Sequence, residues 1–352
     1  MKKIVFLEQN LNGGGAERVT CSLLRALERH KQYEVHLVLT GNLGTLSHLV
    51  PSSVIVHELG FRHSRSSFLK LARALRFIRP SAVYSSFPRL VVMLVLLRWV
   101  TPNFKIIGRY PSMPSLEMKE CCYRRWHFIF YKIFLKKIEV MIAQTKEMKD
   151  ELINYYGFLE QQVVIVINPV DVSYIDDCLV NAENPYERGT INIVASGRIK
   201  HEKGFDILLE AFAKIACKNN SVHLHILGRN CGNNQQLLES RAKLKGVNEQ
   251  LHFYGFIKNP YPYYKYCDLF VLSSRREGLP NVVLECNYLG TPVVATRCVP
   301  IVERLVYDGK NGFVVNVEEI EALSVAIQKA IRLPRSSPKV TNSLTKFLKL
   351  LG

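Results

Sequence analysis

Short apolar runs rich in β-branched residues alternate with amphipathic stretches along most of the chain. Residues 3–7, 34–39, 53–57, 82–86, 105–108, 140–144 and 163–167 read as strands. Between them, 16–27 and 64–78 predict helices. In the second, Phe68, Leu71, Leu75 and Ile78 form an apolar stripe, and Lys70, Arg73, Arg76 and Arg79 recur every three residues. This alternation is the rhythm of a doubly wound parallel sheet. Asn168-Pro169-Val170-Asp171 breaks it, and 181–189 is polar and turn-rich. It restarts at 191–195, then 222–227, 251–254, 269–272, 293–296 and 313–315. The pattern predicts an α/β protein of two Rossmann-like doubly wound parallel-sheet domains, 1–170 and 171–333. The length of 352 residues agrees, since it exceeds what one hydrophobic core usually supports. A helix is expected at 321–331, and 334–338 breaks it at two prolines. The tail, 334–352, sets Lys346 and Lys349 beside Phe347, Leu348, Leu350 and Leu351. Apolar positions beside cations suit contact with a membrane.

The first apolar run ends at Leu7 and Glu8 follows at once, so it reads as a strand and not a signal peptide. The longest run, 90–97, is bounded by Arg89 and Arg98 and falls well short of the ~18 residues of a membrane span. Nine scattered cysteines without a C-x-x-C pair predict reduced thiols, neither a disulfide framework nor a zinc site. Net charge is +17 and uneven: residues 1–170 hold 24 Lys/Arg against 12 Asp/Glu, residues 171–352 hold 23 against 18. A basic half points to a polyanion, whether nucleic acid, anionic lipid or a phosphorylated substrate. Residues 123–138 mix Tyr123, Trp126, Phe128, Phe130, Tyr131 and Phe134 with Arg124, Arg125, Lys132, Lys136 and Lys137. That mixture suits a lipid headgroup region, stacking on single-stranded nucleic acid, or a solvated basic face over a core stripe. RNA-recognition and helix-turn-helix signatures are absent from the sequence.

Candidate chemistry concentrates in 272–296, which reads as a strand end, a loop, a helix at 281–289 and the next strand. Glu277 lies in the loop and Glu285, eight residues on, in the helix. Loops after strands and helix N-termini face the ligand crevice of an α/β domain. One acid there grips hydroxyls while backbone N–H groups approach a phosphate. Upstream, Arg198 and Lys203 share the loop between a strand and a helix; a guanidinium and an ammonium offset the charge on a leaving diphosphate without a metal. A glycosidase reading of the carboxylates leaves Arg198 and Lys203 unexplained. Gly13-Gly14-Gly15 opens a helix and lets backbone come close to a ligand, or is a flexible turn. There is no D-x-D, and His223 and His225 lack a third ligand, so no metal is expected.

Three of these strings, in this order, resemble retaining glycosyltransferases of family 4. Glu277 and Glu285 are similar to its E-x7-E signature. Gly197-Arg198-Ile199-Lys200-His201-Glu202-Lys203-Gly204 is similar to its G-R-x-x-x-E-K-G, and Gly13-Gly14-Gly15-Ala16-Glu17-Arg18 to its glycine-rich loop. The resemblance covers roughly residues 1–333. It implies the GT-B architecture, with domains facing across a cleft and a last helix, here in the tail 334–352, that crosses back to the first domain, and metal-independent transfer with retention. It also implies roles: Arg198 and Lys203 hold the diphosphate, Glu285 the ribose, and Glu277 with Gly278, Leu279, Pro280 and Asn281 the sugar. Gly14 and Gly15 contact the sugar diphosphate, and backbone near Ile257 lies beside the base. The donor, a nucleotide sugar, is a substrate and no cofactor is implied; a UDP-sugar carrying a hexose or N-acetylhexosamine is favoured over GDP-mannose.

Many family 4 members carry a histidine in the first domain, where this chain has Ser85-Ser86-Phe87-Pro88-Arg89 and then Gly108-Arg109-Tyr110-Pro111-Ser112. Those loops resemble the subgroup of bacterial polysaccharide and glycan assembly. Arg109 is the acceptor-side candidate, with a structural loop arginine as the alternative. The implied partners are a lipid-linked oligosaccharide and the membrane surface, with no nucleic acid. The implied place is the cytoplasm, peripheral on the inner face of the membrane, in O-antigen or capsule synthesis. The rivals are a sugar-nucleotide epimerase of the same fold and a basic polyanion-binding protein.

Overall fold

The structure, a computed structural model, describes residues 1–60, 64–115, 125–338 and 343–351, with backbone alone at 64–67 and 125–128. Tyr123 and Arg124 of the aromatic-basic stretch lie outside the described residues. The chain divides into two units: Met1–Pro169 with Thr341–Gly352, and Val170–Val340.

Unit 1 is built on seven parallel strands: β1 Lys2–Glu8, β2 Tyr33–Leu39, β3 Ile55–Glu58, β4 Ala82–Ser85, β5 Lys105–Arg109, β6 Val140–Ala143 and β7 Val163–Ile165. Their order is β3-β2-β1-β4-β5-β6-β7. The central strands are apolar without alternation because helices cover both faces of a parallel sheet; Ile4, Val5, Phe6 and Leu7 are all fully buried. Helix Gly15–Glu28 buries Val19, Leu23, Leu24 and Leu27. Helix Pro88–Leu97 begins on a proline whose missing N–H is no loss there. It packs against both Ser64–Ile78 and Arg125–Leu135. The last helix, Ser343–Leu351, also belongs to this unit. Phe347 meets Tyr84 edge-on at 5.5 Å and Phe6 at 6.4 Å, and Lys105 Nζ donates to the Leu350 carbonyl at 2.7 Å.

Unit 2 carries six parallel strands: β8 Ile191–Ser196, β9 Val222–Leu227, β10 Leu251–Gly255, β11 Leu269–Leu272, β12 Val293–Thr296 and β13 Gly312–Val315. They run β10-β9-β8-β11-β12-β13. One face packs Ile193, Leu224, Ile226, Leu208, Phe212, Leu323 and Ile327 into a core. Both units are thus Rossmann-like doubly wound sheets, as the alternation predicts. The expected strand edges shift by up to two residues. Expected at 53–57, β3 starts at Ile55 and ends at Glu58, since the Pro51-Ser52-Ser53 turn delays it.

On the other face of unit 2, β8, β9 and β10 carry a polar row of Asn192, His223, His225, His252 and Tyr254. His223 Nδ1 lies 2.9 Å from His252 Nε2, and their rings stack. His225 Nε2 lies 2.9 Å from Asn192 Oδ1, so that nitrogen carries the proton, while Nδ1 accepts from the Tyr254 hydroxyl at 3.0 Å. Among the described residues, no group of three or more His, Cys, Asp or Glu is placed to hold a metal ion. Burial, then the neighbouring His252 and His223, pushes His225 down to about 3. An unfolded chain binds a proton at this position below about 6.5, whereas the native one does not until about 3. This contribution to stability is therefore complete above about 6.5 and declines as pH falls toward 3. At pH 4.5, urea unfolding is expected to show unit 2 weaker by about 2 kcal/mol than at pH 7, with the difference reduced in His225→Gln.

Candidate functional site

The strand order of each unit reverses direction at one point, between β1 and β4 in unit 1 and between β8 and β11 in unit 2. Ligands of such sheets bind beyond the C-terminal strand ends at that point. In unit 2 the loops leaving β8 and β11 are the two strings singled out from the sequence. They are tied to each other: Arg275 N–H donates to the Glu202 carbonyl at 2.8 Å, and Ser273 Oγ to the Lys203 carbonyl at 2.9 Å. The Arg275 guanidinium spans both loops. It donates to Asp206 Oδ1 and Oδ2 at 2.8 Å each and to the His201 carbonyl at 2.7 Å, and it also pairs with Glu318. Asp206, and then burial working the other way, governs its basicity, which rises above the usual arginine range. A planar fork fits this geometry where a lysine would not.

Within that frame, Lys203 Nζ stands 2.6 Å from Glu277 Oε1, with both side chains largely buried. Ser274 Oγ donates to the same carboxylate oxygen at 2.7 Å. The simplest sequence pairing for Lys203, its neighbour Glu202, does not form; Glu202 instead pairs with Lys200 at 3.2 Å. Arg198 is exposed at the rim of the same loop. Leu279 and Pro280 are buried, Gly278 and Asn281 half-buried, and helix Asn281–Leu289 starts at Pro280 with no side-chain cap. The positive end of that helix's dipole therefore faces this loop with no side-chain cap on it. Glu285 lies on that helix, half-buried. Ile257 follows β10, two strands from β8.

Two glycines make this close approach possible. Gly204 sits at φ +62, and a Cβ there would lie 2.1 Å from the Ser273 carbonyl oxygen. A Cβ on Gly228, beyond β9, would lie 1.9 Å from the Gly197 carbonyl oxygen. Gly204→Ala is expected to lower unfolding stability by about 2 kcal/mol or more in urea titrations, since strain and a backbone clash coincide.

In unit 1, Gly14 is the N-cap of helix Gly15–Glu28, again without a side-chain cap, and Gly15 opens its first turn. Arg109, at the end of β5, is only 4% exposed and donates from Nη2 to Asn168 Oδ1 at 2.8 Å. The sequence reading missed Ser274 and Arg275. Ser274 reaches Glu277 only three residues on, a contact that serine-rich loops do not advertise, while Arg275 acts through Asp206 and His201, 69 and 74 residues away.

Residues 181–346 match the family model of glycosyl transferases group 1, and residues 13–174 match that of glycosyltransferase family 4. An uncharacterized glycosyltransferase of Methanocaldococcus jannaschii is 28% identical over 215 residues, 59% of this chain and 52% of that protein. The chain thus spans about half the length of that relative. The N-acetylgalactosamine-N,N'-diacetylbacillosaminyl-diphospho-undecaprenol 4-alpha-N-acetylgalactosaminyltransferase of Campylobacter jejuni is 23% identical over 333 residues, 90% of this chain and 87% of that one. Among solved structures, Anabaena HepE in complex with UDP-glucose is similar at a TM-score of 0.78 and 18% identity, covering 94% of this chain and 90% of that one. Each half of the chain thus matches a glycosyltransferase family model, family 4 over 13–174 and group 1 over 181–346, and the fold is shared with HepE.

Proposed function

We propose that the protein moves a hexose or N-acetylhexosamine from a UDP-sugar to a polyprenyl-diphosphate-linked glycan in bacterial surface polysaccharide synthesis, with retention and without a metal. The Lys203–Glu277 pair at the switch point of unit 2 carries the proposal. Lys203 and Arg198 take the diphosphate, whose charge grows as the C1–oxygen bond breaks. Glu277, held by Ser274, accepts from hydroxyls of the transferred sugar, and Glu285 from the ribose. Backbone of Gly278–Asn281 completes the sugar contacts, and backbone near Ile257 flanks the base. The acceptor hydroxyl attacks C1 on the face the diphosphate leaves. The new C1–oxygen bond forms as the old one breaks, and the hydroxyl proton passes to a diphosphate oxygen. UDP-glucose bound to HepE and the undecaprenol-linked substrate named for the Campylobacter relative support the donor and acceptor classes.

The test is turnover of a UDP-sugar panel with an undecaprenyl-diphosphate saccharide, reading UDP release and the anomeric proton of the product. An α-linked product from an α-configured donor is expected; a β-linked product, or no turnover with any pair, contradicts the proposal.

Among the described residues no helix is long and apolar enough to cross a membrane. We assign membrane contact instead to the face of helices Ser64–Ile78, Pro88–Leu97 and Arg125–Leu135. There Phe77 is 84% exposed and Trp99, just beyond the end of Pro88–Leu97, 85%; Phe130 and Ile133 are also exposed, and Arg73, Arg76 and Lys132 lie on the first and third of these helices. Apolar tips among cations suit an anionic headgroup layer. The double variant Phe77→Ser/Trp99→Ser is expected to lose most of its sedimentation with phosphatidylglycerol vesicles; unchanged sedimentation contradicts the assignment.

A further inference from the structure

Among the buried side-chain polar atoms of the described part of unit 1 that have no hydrogen-bond partner are Glu8 Oε2, Arg109 Nε, Arg109 Nη1 and Gln144 Oε1. They share one edge of one sheet. Glu8 ends β1, Arg109 ends β5, and Gln144 follows β6. Between Glu8 and Arg109 stands Ser86, one residue beyond the paired Ser85 and Gly108 of β4 and β5. Each group is anchored on one side and idle on the other. Glu8 Oε1 accepts from the Thr20 hydroxyl at 2.8 Å and from the Ser86 N–H at 3.4 Å. Arg109 spends only Nη2, on Asn168. The Gln144 amide donates to the Tyr110 carbonyl at 2.9 Å.

Buried polar groups without partners are uncommon in folded proteins and unfavourable to keep, so three neighbouring side chains with idle atoms call for a cause. The Tyr84 phenol, pushed up by burial, hydrogen-bonds Ser86 at 3.1 Å in the middle of the row. The edge itself, at the C-terminal strand ends beside the reversal of strand order, is where doubly wound sheets take ligands.

We propose that Glu8, Arg109 and Gln144 form a saccharide subsite of unit 1, taking neighbouring hydroxyls of the acceptor sugar. The subsite rests on the transferase reading above and gives its acceptor a contact set. A hydroxyl both donates and accepts. Glu8 Oε2 and Gln144 Oε1 accept from two hydroxyls, and Arg109 Nε and Nη1 donate to the same oxygens. A phosphate satisfies Arg109 alone and sets its oxygens against those of Glu8 and Gln144, so the donor–acceptor count selects a sugar. The row is one residue from solvent: Gln9 and Arg89 are exposed and hydrogen-bonded to each other, and parting them opens the way to Glu8 and Ser86.

The experiment is saturation-transfer NMR of the full chain with p-nitrophenyl α-glycosides of glucose, galactose, N-acetylglucosamine and N-acetylgalactosamine. Wild type is compared with Glu8→Gln, Arg109→Lys and Gln144→Met, each checked for folding. At least one glycoside is expected to bind wild type, with affinity reduced about tenfold or more in folded variants and the ranking of the four glycosides changed, because each lost pairing discriminates between hydroxyl arrangements. A purely structural row would alter stability and leave the ranking intact, which overturns the subsite. Absence of glycoside binding in wild type overturns it too. UDP-induced stabilisation, measured on the same samples, reads unit 2 separately: its presence with no glycoside effect sinks the subsite alone, and its absence sinks the donor reading. Gln144→Met keeps the test decisive should a charged variant unfold.

Discussion

Lys203→Ala is expected to lower kcat/KM for the UDP-sugar by about a hundredfold to a thousandfold, the range seen when one donor to a developing oxyanion is removed. The ammonium sits 2.6 Å from Glu277 in a site where both side chains are largely covered, so water replaces it poorly. Its loss also leaves the Glu277 charge held by Ser274 alone. The two residues act as a unit, so Glu277→Gln is expected to cost much less in the Lys203→Ala background than in wild type. Initial rates of UDP release in the four proteins of this cycle, with folding checked by circular dichroism, measure both effects. Full additivity would mean that the pair does not work together.

Glu8→Gln is expected to change how stability depends on pH. Burial, opposed by the Thr20 and Ser86 hydrogen bonds, lifts the Glu8 carboxyl from 4.5 to about 7. Between those values the native state holds a proton that the unfolded chain has released. Stability therefore falls as pH rises from about 4.5 to about 7 and is level above that, a total of up to about 3 kcal/mol. The amide of the variant does not titrate, so this decline should vanish and the variant should be the more stable protein at pH 8. Both tryptophans, Trp99 and Trp126, lie within unit 1, so urea unfolding followed by tryptophan emission reads this unit. The slope is opposite in sign to that expected for His225 in unit 2. A wild-type curve that rises across this window in tryptophan emission would contradict the burial of Glu8.

Both sheets were legible because parallel strands covered on two faces appear as unbroken apolar runs. The E-x7-E and G-R-x-x-x-E-K-G strings were legible because each lies in one continuous stretch of the chain. The pairing between them was not. Lys203 has Glu202 beside it in sequence, yet β8 and β11 are neighbours in the sheet, and that adjacency delivers Glu277 from 74 residues away. Glu8 was hidden for a related reason. A charge at the end of an apolar run reads as a solvated strand end, and only Thr20 and Ser86, arriving from other elements, close over it. The stripe of Phe68, Leu71, Leu75 and Ile78 leaves Phe77 out, and the fold sets Phe77, like Trp99, on the surface.

The central claim is that unit 2 binds a nucleoside diphosphate through Lys203. Unfolding of wild type and Lys203→Ala, with and without UDP, tests it most directly. A ligand bound only by the native state at a hundredfold excess over Kd stabilises by about 2.7 kcal/mol. A shift of that order in wild type, lost in Lys203→Ala, is the predicted result. Folded wild type that ignores UDP, or an equal shift in both proteins, would contradict it.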